Sequence, residues 1–123
     1  MHFGRRFTTS GQDAYANIEF RSATSEIRNP DGTIVFQAEN IEVPAQFSQV
    51  ATDILAQKYF RKAGVPAALK RIEETSIPSW LWRSEADSAA LAKLPENQRY
   101  SGEMSAKQVF DRLAGTWTYW GWK

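Results

Sequence analysis

The chain has 123 residues, of which 42% are apolar and 24% are charged, and its formal net charge is +1. This size and composition are typical of one soluble globular domain and exclude wholesale disorder, while the small charge excludes a chain-wide electrostatic footprint for nucleic acid or an anionic membrane. The complete lack of cysteine excludes disulfides, thiolate metal sites and thiol nucleophiles within these residues.

The sequence divides into an arm and a domain. Residues 1–17 are polar and follow neither a helical nor a strand period, which predicts a flexible arm that orders only against another surface. Residues 18–123 are predicted to form a single small α+β domain. In this fold class we expect an amino-terminal β-hairpin followed by three or four helices.

The hairpin is predicted from alternation on either side of a turn. Residues 18–28 partly alternate apolar with polar side chains, and Asn29-Pro30-Asp31-Gly32 then supplies four turn-forming residues. The apolar run 33–36 follows as the returning strand. A further short strand is predicted over residues 40–43, ending at Pro44.

The stretch 45–63 changes to a helical period. Its apolar residues recur every three or four positions and predict one buried face, formed by Phe47, Val50, Ala51, Ile54, Leu55 and Tyr59. Basic residues near the helix end, Gly64 for a left-handed cap, and Pro66 predict its termination. A shorter helix is predicted over 67–74.

The carboxyl-terminal half is predicted to hold two more helices. After an extended apolar piece at 77–82, Ser84 is predicted to cap a helix over 85–93. Ser105 and Gln108 have the spacing of a capping box, which predicts a last helix over 106–118. We expect that helix and the one over 47–62 to form most of the core.

Few residues suggest chemistry. His2 is the only histidine, and its place in the arm argues against a catalytic triad. The paired carboxylates, Glu73 with Glu74 and Glu85 with Asp87, are better explained as solvated charges than as metal ligands. We therefore predict no catalytic residue and no metal site.

A basic patch lies at the end of the first helix, at Lys58, Arg61 and Lys62. Two interpretations remain open. In the first, these cations offset the helix carbonyls and keep the surface hydrated. In the second, they hold an anion, either the phosphate of a nucleotide or an acidic partner, as a weak anion-binding site.

Two clusters of aromatic residues are the candidate interaction surface: Trp80 and Trp82, then Trp117, Tyr119, Trp120 and Trp122. They fit either an interface core or stacking platforms for bases. An interface is favoured because Lys123 is the only basic neighbour of the second cluster. An ending so rich in aromatic residues predicts a longer parent protein or a partner surface.

Several stretches resemble the start of class II ribonucleotide reductases, the adenosylcobalamin-dependent kind, in their long bacterial form. Together they cover nearly the whole chain. They are Arg5–Thr9 (RRFTT), Ala23–Ile27 (ATSEI), Val43–Gln49 (VPAQFSQ), Ala56–Pro66 (AQKYFRKAGVP), Pro78–Arg83 (PSWLWR) and Val109–Lys123 (VFDRLAGTWTYWGWK).

The resemblance implies that this segment precedes a large α/β barrel holding the substrate, the cobalamin and the radical cysteine. That enzyme replaces the ribose 2′-hydroxyl with hydrogen through a thiyl radical, which supplies deoxyribonucleotides for DNA synthesis. No catalytic residue carries over to a sequence without a thiol. The resemblance thus implies adenosylcobalamin for the parent oxidoreductase but no cofactor in this chain.

Three functions follow as hypotheses. The first is a scaffold and docking segment of the reductase, not catalytic alone, whose partner is the remainder of that enzyme. The second is a free-standing adaptor or regulator that binds a reductase or another large assembly through its aromatic face. The third is a small nucleotide or single-strand binder.

The first seven residues lack the apolar stretch of a signal peptide, so we expect a cytoplasmic location and no membrane contact.

Overall fold

The computed structural model describes residues 4–123, so the prediction about His2 lies outside the described residues. Within this range, a long antiparallel hairpin is followed by three α-helices and two further pairs of very short strands. The predicted α+β class, with an amino-terminal hairpin ahead of the helices, is confirmed. No helix among these residues is both long enough and apolar enough to cross a membrane.

The hairpin consists of β1, Phe20–Arg28, and β2, Ile34–Pro44. Its turn forms as the sequence predicts: the Gly32 amide donates to the Asn29 carbonyl at 2.9 Å, and Gly32 takes a φ of 90°. The strand predicted separately over 40–43 is the second half of β2. The two predicted pieces are therefore one strand of 11 residues.

A bulge in β2 sets which of its side chains reach the core. The register passes from Ala23 opposite Ile41 to Ser25 opposite Ala38, so β2 carries one extra residue there. Asn40 takes the left-handed conformation within this bulge, with a φ of 54°, which asparagine tolerates better than most side chains. Beyond the bulge, Ile41 and Val43 lie two residues apart on one face, and both are fully buried.

The first helix, α1, is shorter than predicted. It spans Gln49–Ile54 and is followed by a π-helical turn, Leu55–Tyr59, in which the Phe60 amide donates to the Leu55 carbonyl at 3.1 Å. The predicted bounds of 47–62 were wrong because this wider turn ends the helix at Tyr59, before Arg61 and Lys62. Gly64 does take a positive φ of 80°, but it follows the helix by several residues.

The predicted apolar face of this helix was also wrong in part. Leu55 is buried as expected, together with Thr52 and Ala56. Three residues that were predicted to be buried are more than half exposed: Val50, Ile54 and Tyr59. Packing against β1 selects the face of Thr52, where Arg21 donates to the threonine hydroxyl at 3.4 Å.

The segment after the π-helical turn is extended where a helix was predicted. Instead of a helix over 67–74, β4, Leu69–Arg71, pairs antiparallel with β5, Ser84–Ala86. Sheet pairing outweighs the local helical pattern here. Ser84 lies in β5, so it does not cap the next helix as predicted. That helix, α2, spans only Ser88–Leu91. Its cap is Asp87, whose carboxylate accepts from the Ala90 amide at 3.2 Å.

A third pair of strands, also short, lies next to Gly102. The strand β3, Val65–Pro66, pairs with β6, Tyr100–Ser101. A side-chain carbon on the next residue, Gly102, would lie 2.9 Å from the Lys62 carbonyl oxygen and 3.0 Å from that of Arg61. Glycine is required at this close approach of two backbone segments.

The last helix, α3, spans Ala106–Trp122 and runs four residues beyond the predicted end. Its predicted capping box is confirmed, because the Gln108 side chain accepts from the Ser105 amide at 3.0 Å and the Ser105 hydroxyl caps the first turn. Ala106 and Val109 on its first two turns are buried.

The core lies between the base of the hairpin, the π-helical turn and the start of α3. The two segments expected to form most of it, 47–62 and 106–118, supply five of its eight buried apolar residues, and the hairpin supplies the other three. These buried apolar residues are Ala23, Ile41, Val43, Leu55, Ala56, Phe60, Ala106 and Val109.

The predicted arm contacts α3 at Tyr15, whose hydroxyl donates to Asp111 at 2.7 Å. The division into an arm over 1–17 and a domain over 18–123 stays a prediction.

Candidate functional site

A groove of about 980 Å³ runs between the carboxyl-terminal half of α3 and the segment from Leu69 to Ser84. Its lining includes four aromatic side chains, four cations and one carboxylate: Trp80, Trp82, Tyr119, Trp120, Arg71, Arg83, Arg112, Lys123 and Asp111. It contains most of the aromatic residues singled out from the sequence.

Three of the predicted interface residues are open to solvent. Trp80 is 65% exposed, Trp117 is 63% exposed and Trp120 is 67% exposed. Trp80 also contacts the end of α3, where its ring meets Trp122 edge to face with centroids 5.6 Å apart. The structure thus joins the two aromatic clusters across the groove, although Trp117 lies beside the groove and not in its lining.

The other predicted aromatic residues act as supports. The Trp82 indole nitrogen donates to the Glu74 carbonyl at 3.0 Å and to the Ile77 carbonyl at 2.9 Å. Tyr119 is buried, and its hydroxyl donates to the Glu74 carboxylate at 2.6 Å. These contacts fix the segment 74–82 against α3, and so they fix the orientation of Trp80.

Glu74 is an internal anchor and not the solvated charge expected from the sequence. Its carboxylate accepts from Tyr119 and forms an ion pair with Arg83 at 3.0 Å. The Tyr119 hydroxyl and then Arg83 lower the pKa of Glu74, and the same hydrogen bond raises the pKa of Tyr119. The Arg83 guanidinium lies 5.3 Å from the Tyr119 ring centroid.

A buried ion pair separates this groove from a second cavity beside the hairpin. Arg112, from the groove wall, donates to both oxygens of Glu103 at 3.0 and 3.2 Å, and to the Tyr59 carbonyl at 2.8 Å. Glu103 lines the second cavity, of about 490 Å³, and accepts from the Arg61 amide at 2.7 Å. Burial alone would raise the pKa of Glu103, but hydrogen bonds from Arg112 and Arg61 hold it below its ordinary value.

Two of the predicted anion-binding residues, Arg61 and Lys62, line the second cavity, and Lys58 does not. The Lys62 ammonium donates to the Gln57 carbonyl at 2.9 Å and lies 5.2 Å from the Phe36 ring centroid. Arg61 contributes its backbone to Glu103, and Lys58 lies in the last turn of the π-helical segment. Lys62 thus offsets a helix carbonyl, as the first interpretation expects. Anion binding at these residues stays a prediction.

Tyr119 was predicted as an interface residue, but its pairing with Glu74 could not be predicted from the sequence, and neither could that of Glu103 with Arg112. Glu74 and Tyr119 are 45 residues apart in the sequence. Glu103 precedes the first residues of α3 and Arg112 lies within that helix. No spacing rule pairs residues so far apart. Within residues 4–123, no three histidine, aspartate or glutamate side chains lie close enough together to hold a metal ion.

Comparison with known proteins places the chain in context. The model of the family described as class II vitamin B12-dependent ribonucleotide reductase matches residues 21–123. Two similar relatives are the vitamin B12-dependent ribonucleotide reductases of Agrobacterium fabrum, 68% identical, and of Bradyrhizobium diazoefficiens, 67% identical. Each alignment covers all 123 residues of this chain. The chain spans 10% of the length of either relative.

Proposed function

This chain belongs to the class II vitamin B12-dependent ribonucleotide reductase family, and we propose that it serves there as an amino-terminal scaffold and docking segment. The observation that carries the proposal is the exposure of Trp80, Trp117 and Trp120 at one end of a domain whose other end has a closed core. Large exposed aromatic residues typically mark contact surfaces. The remainder of the reductase is the proposed partner.

Covering these rings would contribute substantially to docking. A buried aromatic side chain removes roughly 150–250 Å² from water. Covering the exposed two thirds of three tryptophans would remove on the order of 300–500 Å² and contribute on the order of 10 kcal/mol before the cost of association is subtracted. That gross contribution is sufficient for a specific contact, because the central aromatic residues of an interface carry most of its binding energy.

The chemistry is proposed to belong to the parent enzyme, which reduces ribonucleotides in the cytoplasm with adenosylcobalamin. This chain has no thiol, and residues 4–123 contain no histidine, the commonest metal ligand. The side-chain nitrogens that line the groove belong to guanidinium, ammonium and indole N–H groups, which offer no free lone pair to a metal. The residues present therefore do not fit a cobalt ligand, and we assign them no chemical step.

The test is a titration of this chain against the remainder of the reductase, expressed separately. We expect saturable binding and restored reductase activity, both weakened by Trp120→Ala. Val50→Ala is the matched control, because Val50 is exposed to the same degree but lies on α1, away from the groove. Absence of binding at micromolar concentrations, or equal losses from both variants, would contradict the proposal.

A free-standing adaptor that binds a reductase through the same aromatic face is the second candidate. It is favoured by the self-contained core, since every buried side-chain nitrogen and oxygen in the described part of the chain has a hydrogen-bond partner. The natural gene separates the two candidates. A stop codon directly after Lys123 would favour the adaptor, and continuous coding sequence would exclude it.

A further inference from the structure

We infer that the groove between α3 and residues 69–84 receives an acidic, partly apolar segment of the remaining reductase polypeptide. This inference rests on the proposed docking function and adds the chemistry of the occupant. It draws on two features of the described residues, the unbalanced charge of the groove and the apolar face of α3 that reaches it at Trp120, and on the length of the relatives outside the matching segment.

The charges that line the groove do not balance one another. Arg112 is neutralised by Glu103, and Arg83 by Glu74. The single lining carboxylate, Asp111, accepts the hydroxyl of Tyr15. Two lining cations have no salt bridge within residues 4–123: Arg71, whose guanidinium donates to the Ser79 carbonyl, and Lys123. Against the single charge of Asp111, these two cations leave an excess of one positive charge, which an occupant with a carboxylate complements.

The apolar face of α3 continues past the core and reaches the groove at Trp120, whereas Trp117 is not among the residues that line it. Val109 is buried and Leu113 packs against the core, and the same stripe reaches Trp117 four residues later and Trp120 three residues after that. These steps keep all four residues on one side of a helix. The second half of the stripe is exposed, so an occupant with apolar side chains beside its carboxylates would extend the packing that the core begins.

The relatives supply a reason for the occupant to be polypeptide. This chain corresponds to a tenth of their length, so nine tenths of each polypeptide is covalently joined to the matching segment. Tethering converts association into an intramolecular step with an effective concentration on the order of millimolar. A groove of modest intrinsic affinity is then filled by the attached chain in preference to a dilute ligand.

Charge reversal at Arg71 tests the inference. Arg71→Glu should weaken binding of the chain to the separately expressed remainder by about tenfold or more at low ionic strength. Arg71→Lys should retain binding to within about twofold, since it preserves the charge. The matched control is Arg28→Glu, which makes the same charge change at the hairpin end, far along the chain from the groove. Circular dichroism and Tm confirm that each variant folds.

The salt response and a second readout sharpen the result. Raising the ionic strength from about 0.05 to about 0.5 M should weaken binding of the unaltered chain more than that of Arg71→Glu. In the intact reductase that contains this chain, Arg71→Glu should speed hydrogen exchange of the amides at 116–123, and Arg28→Glu should not. This second measurement applies even when the separated parts do not associate.

Each contrary outcome has a distinct meaning. If Trp120→Ala abolishes binding while Arg71→Glu matches Arg28→Glu, docking stands and the acidic occupant is wrong. If neither groove variant affects binding, the docking function itself fails. Saturable quenching of tryptophan fluorescence by ADP at micromolar concentration would overturn the inference in favour of a nucleotide. A dimer in sedimentation that Trp120→Ala dissociates would overturn it in favour of a second copy.

Discussion

The two halves of α3 differ in what covers them. Its first turns place Ala106 and Val109 in a closed core against the hairpin and the π-helical turn. Its last turns place Trp117 and Trp120 in solvent beside an open groove. The first half of this continuous helix stabilises the domain, and the second half is the part that we propose for binding. Stability and binding should therefore respond to different residues.

The two ends also differ in the forces that hold them. At the core end, fully buried aliphatic side chains pack together, and the buried Ser25 hydroxyl donates to Asp53 at 2.6 Å. At the groove end, polar contacts to Glu74 from Tyr119 and Arg83 hold the segment 69–84 in place. Apolar burial is strong and non-directional, whereas these hydrogen bonds chiefly fix geometry. The groove end is expected to open at lower free energy than the core.

The largest effect on stability is expected from Ile41→Ala in the closed core. Ile41 is fully buried in β2, so its truncation should lower the free energy of unfolding by about 4 kcal/mol, through lost transfer energy and a residual cavity. Urea denaturation measures this loss. Ile34→Ala is the control, because Ile34 lies in the same strand but is well exposed. Equal losses from both variants would show that the core is not closed around Ile41.

A somewhat smaller loss is expected from Arg112→Met at the boundary between the two ends. Removal of the guanidinium leaves the Glu103 carboxylate buried without its ion-pair partner, which should cost about 3 kcal/mol. Adding Glu103→Gln should recover part of the loss, because the uncompensated charge disappears. A double-mutant cycle by urea denaturation measures the coupling. Strictly additive losses would contradict the assignment of this pair as coupled.

The same ion pair predicts how stability depends on pH. The folded-state pKa of Glu103 lies below its ordinary value, so the pair contributes fully above the unfolded pKa and its contribution is lost as pH falls through the folded pKa. Acidification below the ordinary range of glutamate should therefore destabilise the unaltered chain more than Glu103→Gln. The expected difference is smaller than either substitution above. Urea titrations at a series of pH values measure it, and parallel curves would refute it.

Local signals in the sequence predicted local structure well. The turn Asn29–Gly32 and the capping box at Ser105 and Gln108 each depend on residues within four positions of one another. Their geometry is determined by the backbone chemistry of those residues. The aromatic clusters were also visible in the sequence, because their composition alone marks them as a candidate surface.

Contacts between distant segments could not be predicted in the same way. A helix was expected over 67–74 because nothing local reveals that residues 84–86 will pair with 69–71. The apolar face of α1 was misassigned because β1 selects the side that bears Thr52. The anchoring role of Glu74 depends on Tyr119, 45 residues away. Tertiary packing overrides propensity and periodicity at all these positions.

The smallest effect on stability is expected from Trp120→Ala. This variant tests most directly whether the exposed half of α3 differs from its buried half in its contribution to the free energy of unfolding. Trp120 is 67% exposed, so its truncation should change the free energy of unfolding by no more than about 0.5 kcal/mol. Val109→Ala removes far less volume from the same helix but should cost about 2 kcal/mol, because Val109 is fully buried. Urea denaturation of both variants measures the contrast. A large loss for Trp120→Ala would mean that the exposed half of α3 already contributes to the fold of this chain, and the separation of stabilising and binding halves would fail.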